Sequence, residues 1–170
     1  IPGPRVILEG DIVSIDLGLK YEGFFSDMAV TLPVGKVDVD KIKLIAVAKQ
    51  SLGIGIKQAQ VGNYLTDISH SIQSFVEAKG FSVVRQFVGH GIGTALHEEP
   101  EIPNFGRPGL GPLLENGMVL AIEPMINLGS WECEVMANGW TAVTKDGAPS
   151  AHFEHTVAVT DKGPLILTQC

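Results

Sequence analysis

Cysteine is scarce in this chain. Its two, Cys133 and Cys170, cannot build a disulfide framework, and a bridge to the final residue would constrain little. No uninterrupted apolar run approaches the roughly 18 residues of a membrane span, and no signal peptide is legible. The expected compartment is therefore the cytoplasm, with an organelle matrix as the other reducing option. Positive charge is short as well: 12 basic residues against 19 acidic ones give a formal net charge of −7, which argues against a nucleic-acid surface. Neither a phosphate-cradling loop nor a nucleophilic triad can be picked out, and Cys133 lies in an ordinary strand pattern. An initial methionine is missing too: the chain opens Ile1-Pro2-Gly3-Pro4, as a processed or partial chain would.

What is present is enough apolar residue, 45% of 170, for one substantial core, so a single domain over residues 1–170 is expected. Asp11–Leu19 and Phe24–Leu32 read as two strands, and Tyr21-Glu22-Gly23 marks the turn of a hairpin. Helical spacing of Ile42, Leu44, Ile45, Val47, Ala48, Leu52 and Ile56 predicts a helix from Asp38 to about Ala59, weakened near its end by Gly53 and Gly55. A second helix is expected over Tyr64–Lys79, with Gly80 as its stop. Ser82–Val88 reads as a strand, Glu99–Pro112 as an irregular loop. Met118–Pro124, Glu132–Met136, Trp140–Thr144, Phe153–Thr160 and Pro164–Thr168 read as further short strands. Asn138-Gly139 signals a two-residue hairpin turn. A hairpin, two helices and then antiparallel strands make the class α+β.

The segment Phe87-Val88-Gly89-His90-Gly91-Ile92-Gly93-Thr94-Ala95-Leu96-His97-Glu98-Glu99-Pro100 places two histidines seven apart among three glycines. Such glycine density predicts a shaped turn that aims side chains. A lone histidine is more often structural than a ligand, so His90 and His97 acquire meaning only with matching carboxylates. Asp16 and Asp27 supply the first pair. With the hairpin turning at Tyr21-Glu22, positions summing to 43 face each other, and directly opposed Cβ atoms lie roughly 4.5–5.5 Å apart. Facing carboxylates repel unless a cation or a shared proton lies between them. Ser14, Gly18 and Ala29 share that face, while Val13, Ile15 and Leu17 on the other suit a core. Two solvated aspartates on an exposed sheet would give the same pattern. Glu123, in the apolar run Met118–Pro124, and Glu154, in Ala151–Val157, are carboxylates in strands entering the core, where a buried charge must be paired or bound to metal. Surface strand ends would also accommodate them singly; it is the set that matters. Two divalent cations balance four carboxylates charge for charge, and oxygen-rich ligation favours Mn²⁺, Fe²⁺ or Co²⁺ over a dedicated zinc site. Two metals sharing a water is hydrolytic chemistry.

Through Ile15-Asp16, Gly23-Phe24-Phe25-Ser26-Asp27, Gly89–Gly93 with His97–Pro100, Ile122-Glu123-Pro124, Asn138–Thr141 and Phe153-Glu154-His155-Thr156, the chain resembles the type I methionine aminopeptidases. The resemblance implies a pita-bread (creatinase/aminopeptidase-like) fold with a curved antiparallel sheet and flanking helices, its first half truncated. It implies two divalent ions (Mn, Fe, Co or Zn): Asp16 on one, Asp27 and Glu154 bridging, His90 and Glu123 on the other. Glu123 would also shuttle protons. His97 would donate to the scissile carbonyl oxygen, and Leu96 and Trp140 would line the methionine pocket. The implied substrate is a nascent polypeptide N-terminus, met near the ribosome. The family's N-terminal segment has no counterpart before Ile1, Leu96 replaces an aromatic residue, and His152 stands where glutamine is common. Apolar sheet surface is expected to be left exposed. A proline-directed peptidase of the same fold and a silent metal-binding or interaction fragment are the alternative readings.

Overall fold

The computed structural model describes residues 3–169; what was read at Ile1, Pro2 and Cys170 lies outside them. The hairpin consists of β1 (Ile12–Tyr21) and β2 (Phe24–Pro33). The helices follow as α1 (Val39–Gln58) and α2 (Leu65–Ala78), within a residue or two of expectation at each end. α1 runs unbroken through Gly53 and Gly55, and the Asp67 carboxylate accepts the Tyr64 N–H (2.8 Å) to open α2. Then come β3 (Ser82–Val83), β4 (Gly89–Gly91), β5 (Glu98–Ile102), β6 (Val119–Ile122), β7 (Met125–Asn127), β8 (Cys133–Val135), β9 (Ala142–Thr144), β10 (Ser150–His152), β11 (Glu154–Ala158) and β12 (Leu165–Ile166).

Seven of these strands form one sheet in the order β1-β2-β11-β6-β4-β5, with β12 also on β11. A second sheet runs β10-β7-β3, and β8-β9 make a separate hairpin. Every pairing among the described strands is antiparallel. The curved antiparallel sheet with flanking helices therefore stands. One face of it, with Leu120, Ile122 and Val157, packs on Leu44, Val47, Ala48, Leu52 and Ile56 of α1 and on Ile68, Ile72 and Val76 of α2, all buried. Burying such side chains contributes about 1.5–3 kcal/mol each.

That helical cover stops short of β1. Ile15, Leu17 and Leu19 are 53, 63 and 60% exposed, so the face expected to suit a core is open there. Five other expectations need correction. The hairpin register pairs Asp16 with Ala29 and Gly18 with Asp27, because Glu22 (φ 47°) and Gly23 (φ 92°) alone form the loop. Pairs thus sum to 45, not 43. The glycine segment is no free turn: Gly89–Gly91 is a buried strand between β5 and β6, and Glu98–Ile102 is a strand rather than loop. Asn138-Gly139 belongs to a longer loop, where the Asn138 side-chain oxygen accepts the Trp140 and Thr141 amides. Ser82–Val88 is strand only at its first two residues, and β7 and β10 had no counterpart in the sequence reading.

Candidate metal centre

The register of the large sheet assembles the site. Asp16 pairs with Ala29, and Ala29 on its other side with Glu154. Asp27 lies two residues before Ala29, so it shares that face as the diagonal neighbour of Asp16. Thr156, two beyond Glu154, pairs with Ala121, which pairs in turn with His90. Glu123 follows Ala121 by two. Asp16, Asp27, His90, Glu123 and Glu154 therefore project from four neighbouring strands and the end of β6 onto one face, opposite the helices.

Close approach of backbones explains the glycines. A Cβ on Gly89 would run into the Ala121 carbonyl, and one on Gly91 into the Glu99 carbonyl. The glycines let β4 lie tightly between its neighbours, which brings His90 up against the carboxylates. Its Nδ1 lies 2.9 Å from the Gly91 carbonyl oxygen, an acceptor only, so Nδ1 carries the proton. Its Nε2 is left facing inward, 3.5 Å from Glu123 Oε1.

Asp27, His90 and Glu154 are all buried and each offers a ligand atom within 4.8 Å of the others. Glu154 is 2% exposed and its Oε1 has no hydrogen-bond partner. Burial, and then the neighbouring Glu123, Asp27 and Asp16, push its carboxyl up to about 9. Asp27 is also raised, chiefly by burial and next by Asp16, against the pull of the Met28 amide and His90. A protein keeps such a cluster ionised only with compensating positive charge. The orphaned oxygen, the inward imidazole and the oxygen-rich donor set all fit a hard or borderline divalent cation.

The cluster opens into a cavity of about 760 Å³, walled by His97, Phe87, Val88 and Met125 and rimmed by Glu98, Glu99 and Glu101. The ring of His97 lies edge-on to that of His90, centroids 4.4 Å apart. The Glu98 carboxylate holds the loop that presents His97, accepting the Ala95 amide (2.8 Å) and the Thr94 hydroxyl (3.1 Å). These bonds hold Glu98 below the usual carboxylate range.

Residues 1–161 match the model of metallopeptidase family M24. A methionine aminopeptidase of Clostridium perfringens is 57% identical over 167 residues, covering 98% of this chain and 67% of that protein. Its counterpart in Clostridium acetobutylicum is 53% identical, covering 98% and 66%. This chain belongs to metallopeptidase family M24. It spans about two thirds of the length of these relatives. Among solved structures, the methionine aminopeptidase of Thermotoga maritima superposes with a TM-score of 0.96 at 50% identity, over 98% of this chain and 67% of that one. A dipeptidase of Pyrococcus horikoshii gives 0.80 at 26%, over 99% and 42%.

As an M24 metallopeptidase the chain uses divalent metal, and its fold is the pita-bread fold of those structures. Not every expected site residue reaches the cavity. Leu96 is absent from its lining and its Cδ1 lies beside Gly18 instead. Trp140 is 69% exposed in the β8-β9 loop and also lines no part of it. Other residues at the site had no reading in the sequence. The Thr156 hydroxyl accepts the Asp27 amide and donates to the Asp27 carbonyl (both 2.8 Å). Asn104, 1% exposed, donates to the Glu123 carbonyl (3.1 Å). Their only sequence signal is a polar residue inside an apolar stretch.

Among the described residues no helix is long and apolar enough to cross a membrane.

Proposed function

We propose that this chain carries the catalytic centre of an aminopeptidase that removes N-terminal methionine from nascent polypeptides, as one domain over residues 1–170. The observation that supports it most is the convergence of Asp16, Asp27, His90, Glu123 and Glu154 on one sheet face, with a buried Glu154 oxygen left without a partner. Those five residues would hold two divalent ions of the Mn, Fe, Co or Zn class. When bound, such a pair supplies Lewis acidity and lowers the pKa of water into the neutral range.

The rest is done by the chain. The acidic rim of Glu98, Glu99 and Glu101 draws in a positively charged N-terminus. Phe87, Val88 and Met125 offer an apolar wall suited to a flexible thioether side chain. His97 faces the cavity beside His90 and donates to the scissile carbonyl oxygen as negative charge develops there. Glu123 takes the proton from the attacking water and passes it to the leaving amine.

The test is release of methionine from Met-Ala-Ser by the purified chain with Mn²⁺ or Co²⁺, with a chelator and an Xaa-Pro peptide as controls. Chelator-sensitive release from the methionyl peptide is the expected result. Metal binding with release only from the Xaa-Pro peptide would overturn the substrate assignment, and absence of metal binding would overturn the site.

A further inference from the structure

His152 is the one imidazole at this centre that the five-ligand reading leaves without a role. It ends β10, in the three-stranded sheet, and its side chain is 16% exposed. Its ring lies between two of the carboxylates: Nε2 is 3.5 Å from Glu123 Oε2, and Nδ1 is 3.9 Å from Asp16 Oδ2. Nε2 is fully buried and has no hydrogen-bond partner at all. Glu123 is bracketed as a result, with Oε1 toward His90 Nε2 and Oε2 toward His152 Nε2.

The backbone that carries the ring is fixed. The Thr31 hydroxyl, 1% exposed, accepts the His152 amide and donates to the His152 carbonyl, both at 2.8 Å. The Ser14 hydroxyl bonds Thr31 in turn (2.8 Å). One threonine of β2 thus sets where β10 delivers its imidazole, and Asn104 fixes the Glu123 backbone from the other side.

We propose that His152 is a positioning residue for Glu123: its Nε2, buried 3.5 Å from Oε2 and unpartnered in the metal-free chain, is placed to donate to that oxygen when an ion that His90 would share draws in Oε1. The proposal rests on the reading of the cluster as a metal centre. A hydrogen bond between a carboxylate ligand and an outer partner orients the ligand, and losing such a partner typically costs about 10–100-fold in metal affinity. A glutamine side chain can donate to the same oxygen, whereas alanine cannot.

The experiment is calorimetric titration of the metal-free chain with Mn²⁺ and with Co²⁺, comparing wild type, His152→Ala and His152→Gln. Metal-free thermal unfolding checks that each variant folds. The expected result is affinity lower by about 10–100-fold in His152→Ala and largely restored in His152→Gln. The visible spectrum of the Co²⁺ form should change in the alanine variant and return in the glutamine one. Unchanged affinity and spectrum in His152→Ala, with metal still bound by the wild type, would overturn the positioning role alone. Equal losses in both variants would assign His152 to packing and overturn it too. Failure of the wild type to bind either ion would overturn the metal centre itself.

Discussion

Glu154→Gln keeps the shape of the most deeply buried carboxyl at the site and removes its ability to ionise. In the metal-free protein the Glu154 carboxyl is pushed up to about 9, so at pH 7 it is protonated in the folded chain. The variant exchanges one neutral side chain for another in the folded chain, so its metal-free stability should match wild type below pH 4.5 and exceed it by about 3 kcal/mol at pH 7, where only the wild type must take up a proton to fold. A raised folded-state pKa gives the sign of the pH dependence. This group's contribution is fully present below its ordinary 4.5 and is lost as pH rises through about 9. Metal-free wild type should therefore weaken between those values, and the variant should lack that share of the decline.

Metal reverses the comparison. At 100 times Kd, binding to the folded state adds about 2.7 kcal/mol. At about 2–4 °C per kcal/mol for a chain of this size, wild-type Tm should rise by roughly 5–10 °C. Glu154→Gln offers no anionic ligand and should lose most of that rise. Scanning calorimetry with EDTA and with Mn²⁺, at pH 6, 7.5 and 9, reads both effects. An equal Mn²⁺-induced rise in the variant would refute the assignment of Glu154 to the metal, and parallel metal-free pH profiles would refute its buried, neutral state.

Asp27→Asn should also abolish most metal binding, since it removes a second buried carboxylate of the cluster; near-normal occupancy by elemental analysis would contradict this. His97→Ala should bind metal normally yet lose about 10²–10³ in kcat on Met-Ala-Ser, the usual cost of one oxyanion donor. Retained turnover would remove His97 from the chemistry. Gly91→Ala forces a methyl group against the Glu99 carbonyl and should cost about 1–3 kcal/mol, read as a lower metal-free Tm. An unchanged Tm would mean that β4 and β5 can separate.

The helices and the residues that cluster on the sheet face were legible because each shows locally, as apolar spacing in α1 and α2 or as carboxylates placed in apolar strands. The hairpin register was misplaced by two residues, yet Asp16 and Asp27 still share a face. Side chains alternate with period two, so an even slip preserves the face and only an odd one would have separated the pair. The glycines around His90 were read as a turn, because a sequence shows a glycine's freedom but not the neighbouring carbonyl that forbids a Cβ. β5 was hidden by Pro100, and β7 and β10 are too short to show alternation. The Thr156–Asp27 bonds join residues 129 apart, and no local pattern encodes such a pairing.

Thr31 and Thr156 perform the same act in different places. Each spends one hydroxyl on both polar groups of a residue across a gap, where no ladder of main-chain bonds continues. Thr31 does so between the seven-stranded sheet and β10 of the three-stranded one, so the proposed metal centre sits over a seam. Asp16, Asp27, His90 and Glu154 lie on one bank, His152 on the other, and Glu123 at the crossing between β6 and β7. An ion drawing these side chains together would act as a suture. Without it, the Thr31 hydroxyl is the side-chain tie between β2 and β10, beside the two short stretches of backbone that carry β6 into β7 and β10 into β11.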